Sequence, residues 1–188
     1  LPISGLMDYA ALMFVALDRA KTAREAIKVI VDLVGQYGYN SSGESFSIAD
    51  KNEVWFMEII GKGTEMVYNK RTKSTENKHK GAVWVAVRIP DNAISAHANH
   101  ARITNFPLHN GKTSISSKHL ALINNPAVET IYSHDVIDFA RSKAYFTGKN
   151  EEFSFSDVYA PMDFGAARFC EMRVWAFFRR YNDQMDDY

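Results

Sequence analysis

The sequence predicts an α+β fold class, in which antiparallel strands are flanked by helices. Three observations support this: a helical pattern over residues 8–37, β-rich segments between residues 44 and 99, and a return to helical spacing over residues 133–182. The chain has 188 residues, 46% of them hydrophobic, which suits one folded domain. We therefore treat residues 1–188 as a single domain and expect it to be part of a larger one.

The N-terminal helical part contains two predicted helices. The first runs from Asp8 to Asp18 and is rich in Ala, Leu and Met. Thr22 and Glu25 then have the spacing of a capping box, and Gly38 is a typical residue after a helix end. Between them, apolar residues recur three and four positions apart, on one helix face: Ala23, Ala26, Ile27, Ile30, Val34 and Tyr37. The pattern predicts a helix over residues 22–37.

A β-meander is predicted over residues 44–99. Residues 45–48 alternate and residues 54–60 are β-rich, so they form a hairpin around a turn at 50–53. Residues 82–89 are apolar on both faces, which is typical of a strand buried on both sides, and residues 93–99 are the expected fourth strand. The segment between hairpin and third strand, residues 62–80, holds six Lys or Arg and two Glu, which predicts a solvated, mobile insertion.

The C-terminal half is less regular. Residues 104–130 are predicted as irregular, and a helix is expected to begin near Ser133 and end near Phe146. Residues 152–158 alternate weakly, as in a strand or an extended loop. Asp163 is the expected N-cap of a final helix, on whose apolar face Cys170 is expected to be a buried structural thiol.

Composition excludes several classes of function. Twenty-two Lys and Arg balance twenty-two Asp and Glu, and neutralising phosphates needs a basic surplus, so we expect no nucleic-acid partner. The longest apolar run, residues 9–17, is far shorter than the roughly 20 residues that span a bilayer, so we expect no membrane partner. With one cysteine and no histidines at metal-ligand spacing, we expect no metal and no cofactor. The compartment stays open between cytoplasmic and secreted.

Four segments in chain order resemble the N-terminal-nucleophile cysteine dipeptidases, the dipeptidase A and secernin family. Their order and spacing over residues 15–105 carry the resemblance, and the segments are residues 19–26 leading to Tyr37-Gly38, residues 44–50 with Glu53-Val54-Trp55, residues 84–91, and residues 98–103. Further along, Arg173-Val174-Trp175 is similar to an Arg-Val-Trp helix late in the family's catalytic domain.

The resemblance implies the αββα sandwich of N-terminal-nucleophile hydrolases, two antiparallel sheets packed face to face between helices. It also implies hydrolysis of small peptides by a cysteine that becomes residue 1 after self-cleavage, with its own α-amino group as general base. Residue 1 here is Leu, and the family's nucleophile lies well upstream of the segment around Thr22. We therefore expect an internal or C-terminal part of the enzyme that lacks the nucleophile and is inactive alone.

Four supporting residues follow from the resemblance. Asn99 matches an asparagine that faces the nucleophile and can donate to the oxyanion; the alternative is a turn residue at a strand end. Arg173 matches an arginine beside the nucleophilic cysteine that keeps the thiolate ionised; the alternative is a structural helix arginine. Arg88 and Arg102 match family positions where a guanidinium can hold a substrate carboxylate, and a structural ion pair is the alternative for both.

Two other functions stay open: a non-catalytic binding or assembly domain of the same fold, and an acylase-type amidohydrolase acting on a non-peptide amide. A cysteine that begins a β-rich segment upstream in the gene distinguishes the enzyme from the binding domain. The expected partners are a small peptide substrate and the missing N-terminal part of the same protein. We also expect a homo-oligomer, because an open sheet edge templates further pairing.

Overall fold

A five-stranded sheet separates two apolar cores in the computed structural model, which describes residues 5–182 and 184–185. Leu1, on which the expectation of a missing nucleophile rests, lies outside these residues. The strands are β1 (Gly43–Ala49), β2 (Val54–Gly61), β3 (Met66–Asn69), β4 (Ser74–Asn77), β5 (Ala82–Ile89), β6 (Ser114–Ser116) and β7 (Thr130–Tyr132). Their order in the sheet is β1-β2-β5-β7-β6, with β6 parallel to β7 and the other pairs antiparallel.

Two helices cover one face of the sheet, α1 (Tyr9–Arg19) and α2 (Ala23–Tyr37). Thr22 caps α2 by accepting from the Glu25 N–H at 3.2 Å, while the Glu25 carboxylate accepts from the Lys21 N–H. Gly38 ends the helix at a φ of 77°, a conformation that glycine adopts without strain. Both predicted helices are confirmed, and they pack on the strand residues Phe46, Trp55, Met57, Ile59 and Trp84.

The C-terminal half covers the other face with short helices. They are α3 (Val136–Ser142), α4 (Phe155–Tyr159) and a last segment built from α5 (Phe164–Ala166), a π-helical turn (Ala167–Glu171) and α6 (Met172–Phe178), together with 3₁₀ turns at Ser117–Leu122 and Asn150–Glu152. Asp163 caps α5 as predicted, accepting from the Ala166 N–H at 2.7 Å. Phe56, Val83, Val85, Tyr132, Val136 and Phe155 form the core on this side.

The structure corrects the predicted meander at its fourth strand. Residues 93–97 form no strand, and the pairing there is a single bridge between Ala98 and His100. Pro90 and the turn after it stop the chain from folding back, so β5 pairs instead with β7, which arrives from residues 130–132. A composition rich in short polar residues concealed β6 within the segment predicted as irregular, and β7 begins at the last residue of that segment.

Three further predictions need correction in detail. The insertion at residues 62–80 contains a second, two-stranded sheet, β3 with β4, rather than an unstructured loop. The helix expected to reach residue 146 ends at Ser142. Residues 155–159 are helical rather than extended, because the Phe153 and Phe155 side chains that gave an alternating pattern are both buried in one core.

The antiparallel sheet with flanking helices is thus present, and residues 5–182 and 184–185 contain the five-stranded sheet and the two-stranded β3–β4 sheet. The αββα sandwich stays a prediction. None of the helices in this part of the chain is both long and apolar enough to cross a membrane.

Candidate functional site

A cleft of about 360 Å³ opens where the β1–β2 pair meets residues 98–101 and the end of α4. Ser45, Glu58, Asn99, His100 and Tyr159 are among its lining residues. Residues 98–101 are irregular and belong to no strand, so strand-to-strand hydrogen bonds do not fix their path. Side chains from the sheet and from the last helical segment hold them in place.

Asn99 and Arg173 touch each other, although 74 positions separate them in the chain. The Arg173 Nη2 donates to Asn99 Oδ1 at 2.7 Å. Because the guanidinium takes the amide oxygen, the nitrogen is the atom that Asn99 can offer to a further partner. An amide nitrogen is a donor only, which is the property that oxyanion stabilisation requires.

The positively charged guanidinium of Arg173 donates its hydrogen bonds to neutral acceptors. Besides Asn99, its Nε donates to the Phe169 carbonyl at 2.5 Å, within the π-helical turn that precedes α6. No carboxylate lies within ion-pair distance of Arg173 among residues 5–182 and 184–185. A π-helical turn is a local irregularity often found at functional sites, and here it supplies the carbonyl that orients the guanidinium.

Arg102 and His100 both approach Glu171, the last residue of the π-helical turn. One Arg102 Nη donates to Glu171 Oε2, and His100 Nδ1 lies 3.6 Å from Glu171 Oε1, too far for a hydrogen bond. The two His100 ring nitrogens and Glu171 Oε1 are buried with no hydrogen-bond partner in the described part of the chain. Buried polar atoms are normally paired, so this cluster has unused hydrogen-bonding capacity.

Glu58 lies beneath this segment, in the middle of β2, and is 1% exposed. Its two carboxylate oxygens accept from the N–H groups of Arg102 at 2.5 Å and of Ile103 at 3.0 Å. Burial raises the pKa of the Glu58 carboxyl to about 7, against the lowering effect of these hydrogen bonds. Burial also lowers the pKa of Arg102, whereas the charge of Glu58 raises it.

Arg88 lies in a different part of the molecule. It pairs with Asp91 and, at 3.4 Å, with Glu53, and it lines a depression shared with Arg24 and Asn124. Its charge is therefore matched by carboxylates, unlike that of Arg173. The sequence grouped Arg88 with Arg102 as carboxylate ligands, and the structure does not bring the two together at the cleft.

Sequence reasoning missed Glu58 and Glu171. A charged residue within the apolar run 54–60 was the available signal for Glu58, because glutamate is almost never fully buried unless it is paired. Nothing in the sequence marked Glu171, since its approach to Arg102 depends on the π-helical turn. His97 stacks on Phe56, and its Nε2 is hydrogen-bonded to the Ser47 hydroxyl at 2.9 Å. Cys170 is buried as predicted.

At a cleft of this α+β fold, a side-chain amide donor lies beside a guanidinium that has no carboxylate partner among the described residues, and such a pair can stabilise negative charge, as in enzymes that cleave amides. Comparison with known families agrees with this class: the family described as Peptidase family C69 matches residues 2–188. The chain belongs to peptidase family C69.

Individual relatives carry dipeptidase names. The "Probable dipeptidase" of Salmonella dublin is 23% identical over 178 residues, which cover 94% of this chain and 32% of that protein. The "Probable dipeptidase B" of Lactococcus lactis subsp. lactis (strain IL1403) is 33% identical over 65% of this chain and 23% of its own length. The "Dipeptidase" of Bifidobacterium longum (strain NCC 2705) is 30% identical over 56% and 16%, respectively. The chain thus spans a third or less of these relatives.

Proposed function

We propose that this chain is part of a cysteine dipeptidase, which hydrolyses small peptides with an N-terminal cysteine that is not in this chain. Membership of the peptidase family and the dipeptidase names of the relatives support the substrate class. The observation that carries the proposal is the Asn99–Arg173 pair, because it joins an amide donor to a cation without a carboxylate partner among the described residues.

The proposed chemistry gives each of these two residues one task. The α-amino group takes the proton of the cysteine thiol, the thiolate attacks the peptide carbonyl, and the oxygen of that carbonyl becomes negative. The Asn99 amide nitrogen donates to this oxygen, and the Arg173 charge favours the thiolate over the thiol. The C–N bond then breaks, and the protonated α-amino group gives its proton to the leaving amine. The acyl group stays on the cysteine as a thioester, which water hydrolyses to release the acid and restore the thiol.

Substrate binding is the proposed task of Arg102. Its side chain is 31% exposed, and its Nη1 contacts Glu171, which leaves other donors of its guanidinium fork for the carboxylate of a dipeptide. Arg88 matches the family as well, but its contacts with Glu53 and Asp91 favour the structural ion pair that was its alternative.

The test is dipeptide hydrolysis by a longer peptidase that contains this chain, with and without alkylation by iodoacetamide. We expect alkylation to abolish hydrolysis, Cys170→Ser to remain active, and the 188-residue chain alone to be inert. Loss of activity in a folded Cys170→Ser enzyme would show that the nucleophile is placed wrongly. Hydrolysis of acylated amines but not of dipeptides would favour the acylase alternative, and no hydrolysis of either would favour the binding domain.

A further inference from the structure

We propose that Glu58 is the positioning residue of the cleft: its carboxylate holds residues 99–103 in the conformation in which Asn99 meets Arg173, and protonation of that carboxylate releases them. The effect of this positioning on catalysis rests on the proposed function. The arrangement itself can be tested without any hydrolysis.

Glu58 projects from an apolar surface of the sheet. On the same face of the sheet, its neighbours along β2 are Phe56 and Ile60, and its partner on β5 is Val85. All three are members of an apolar core or pack against it. An ionised carboxylate in such surroundings opposes folding unless its oxygens are hydrogen-bonded, so its two main-chain partners are what makes the position tolerable.

The two hydrogen bonds of Glu58 hold residues 102–103 to β2. The N–H groups of Arg102 and Ile103 are both directed to Glu58, and the Ile103 carbonyl accepts from the Ser156 N–H of α4 at 2.9 Å. The segment is thereby fixed between β2 and α4. An ionised carboxylate has only acceptors and can serve two N–H groups, whereas a protonated one turns one oxygen into a donor. Protonation therefore costs the segment one of its two hydrogen bonds to β2.

Among the described residues, the titratable groups around this carboxylate are Arg102, Glu44 on β1, His100 and Tyr159. Arg102 is the charged group whose field acts on it; Ser45 lies opposite on β1, Tyr159 comes from α4, and His100 lies on the segment that it holds. Burial outweighs Arg102 and the two hydrogen bonds, and it brings the pKa of Glu58 to about 7. The release therefore falls in a pH range where most carboxylates no longer titrate.

The experiment is a pH titration of the ¹⁵N-labelled chain by NMR between pH 5 and 9. We expect the backbone amide signals of Arg102 and Ile103 and the side-chain amide signal of Asn99 to shift with one common midpoint near 7. The shift of Asn99 is the decisive signal, because a carboxylate with a purely local structural role would not move it.

Two variants complete the design. In Glu58→Gln the common titration should be lost, whereas in Glu44→Gln, which removes another carboxylate of the same cleft, it should persist. Separate midpoints, no titration, or a titration that survives in Glu58→Gln would overturn the proposal. If Glu58→Gln does not fold, the side-chain carboxyl carbon of Glu58 in the unaltered chain must titrate with the same midpoint as the three amides, and a mismatch overturns the proposal equally. Failure of dipeptide hydrolysis would leave these results unaffected.

Discussion

Two arginines of this molecule differ in how completely their guanidinium groups are paired. Arg24, on α2, donates to both carboxylate oxygens of Glu53 and to three main-chain carbonyls, those of Ile123, Asn125 and Val128. Its guanidinium also stacks on Trp55 at 4.9 Å from the ring centre. Arg173, by contrast, is exposed, has two neutral acceptors, and lies beside a segment with unpaired buried atoms.

From this difference we infer that Arg24 is a structural arginine, and we propose that Arg173 is a functional one. The Arg24 guanidinium joins α2, the β1–β2 turn and residues 123–128, and its own donors are all used. Among the described residues, the cleft keeps Arg173 without a carboxylate partner and His100 without a hydrogen-bond partner. A buried polar atom without a hydrogen bond lowers stability. Proteins keep such atoms mainly at functional sites.

Breaking the pairing of Arg24 should produce the largest loss of stability. Arg24→Met leaves the nearly buried Glu53 carboxylate without its main partner and removes the donors of three carbonyls. We expect the free energy of unfolding to fall by about 3–5 kcal/mol, as for other buried ion pairs that lose one member. Urea unfolding followed by circular dichroism measures this. A loss below about 1 kcal/mol would show that the pairing is no more valuable than a surface contact.

At the cleft, Asn99→Ala should affect turnover instead. In the longer peptidase we expect kcat to fall about 100- to 1000-fold with little change in KM, because an oxyanion donor gains strength only in the transition state. Steady-state kinetics on a dipeptide measure both constants. Asn110→Ala, on an exposed loop turn, is the control. A rise in KM with unchanged kcat would instead make Asn99 a substrate-binding residue.

Glu58 should make stability depend on pH. Its pKa rises from 4.5 to about 7 on folding, so the folded state holds the proton more tightly than the unfolded state. The stabilisation that this proton gives the folded state is complete below pH 4.5 and is lost as the pH rises to about 7. Above pH 7 the free energy of unfolding no longer depends on this group, and the total loss is on the order of 3 kcal/mol.

The difference between the unaltered chain and Glu58→Gln isolates this effect, because other titrating groups cancel. Unfolding in urea at pH 5 and pH 8 should show the variant gaining in relative stability at the higher pH. A difference that does not change with pH would mean that the carboxyl titrates at its ordinary pKa.

The smallest effect is expected for the β3–β4 hairpin. Replacing residues 64–78 by a short turn removes the contacts of Glu65 with Lys78, His79 and Lys143, which are partly exposed ion pairs. Such pairs contribute about 1 kcal/mol or less each, and a shorter connection offsets part of that loss. We expect the melting temperature to change by only a few degrees. A collapse in stability would show that the hairpin packs more firmly than its contacts indicate.

Local pattern predicted the parts of the fold that local forces determine. Helix α2 followed from its capping residues and apolar spacing, and the β1–β2 hairpin and β5 followed from alternation and β-branched composition. The pairing of β5 with β7 was beyond reach, since it joins residues 43 to 47 positions apart through β7, a three-residue strand with a weak pattern. Residues 93–99 have strand-like composition, but the sheet position that they would fill belongs to β7.

The site was predictable only through likeness to relatives. Asn99 and Arg173 were named separately, and nothing in the spacing of the two showed that they touch. Glu171 reaches Arg102 because the π-helical turn shifts the register of the last helical segment, and such turns leave no clear pattern in a sequence. Long-range contacts of this kind depend on the folded chain rather than on local propensity.

The measurement that tests the central claim most directly compares Arg173→Met with Arg168→Met, an exposed arginine on the same helical segment. In the longer peptidase, we determine the pH–rate profile and the free energy of unfolding of both variants. The account predicts that Arg173→Met lowers turnover and shifts the acidic limb of the profile to higher pH, because the thiol's pKa rises when the nearby positive charge is removed. It also predicts that stability stays within about 0.5 kcal/mol in both variants, and that Arg168→Met keeps the unaltered profile. An unchanged profile in Arg173→Met, or a loss of stability like that of Arg24→Met, would contradict the claim that Arg173 is the functional arginine.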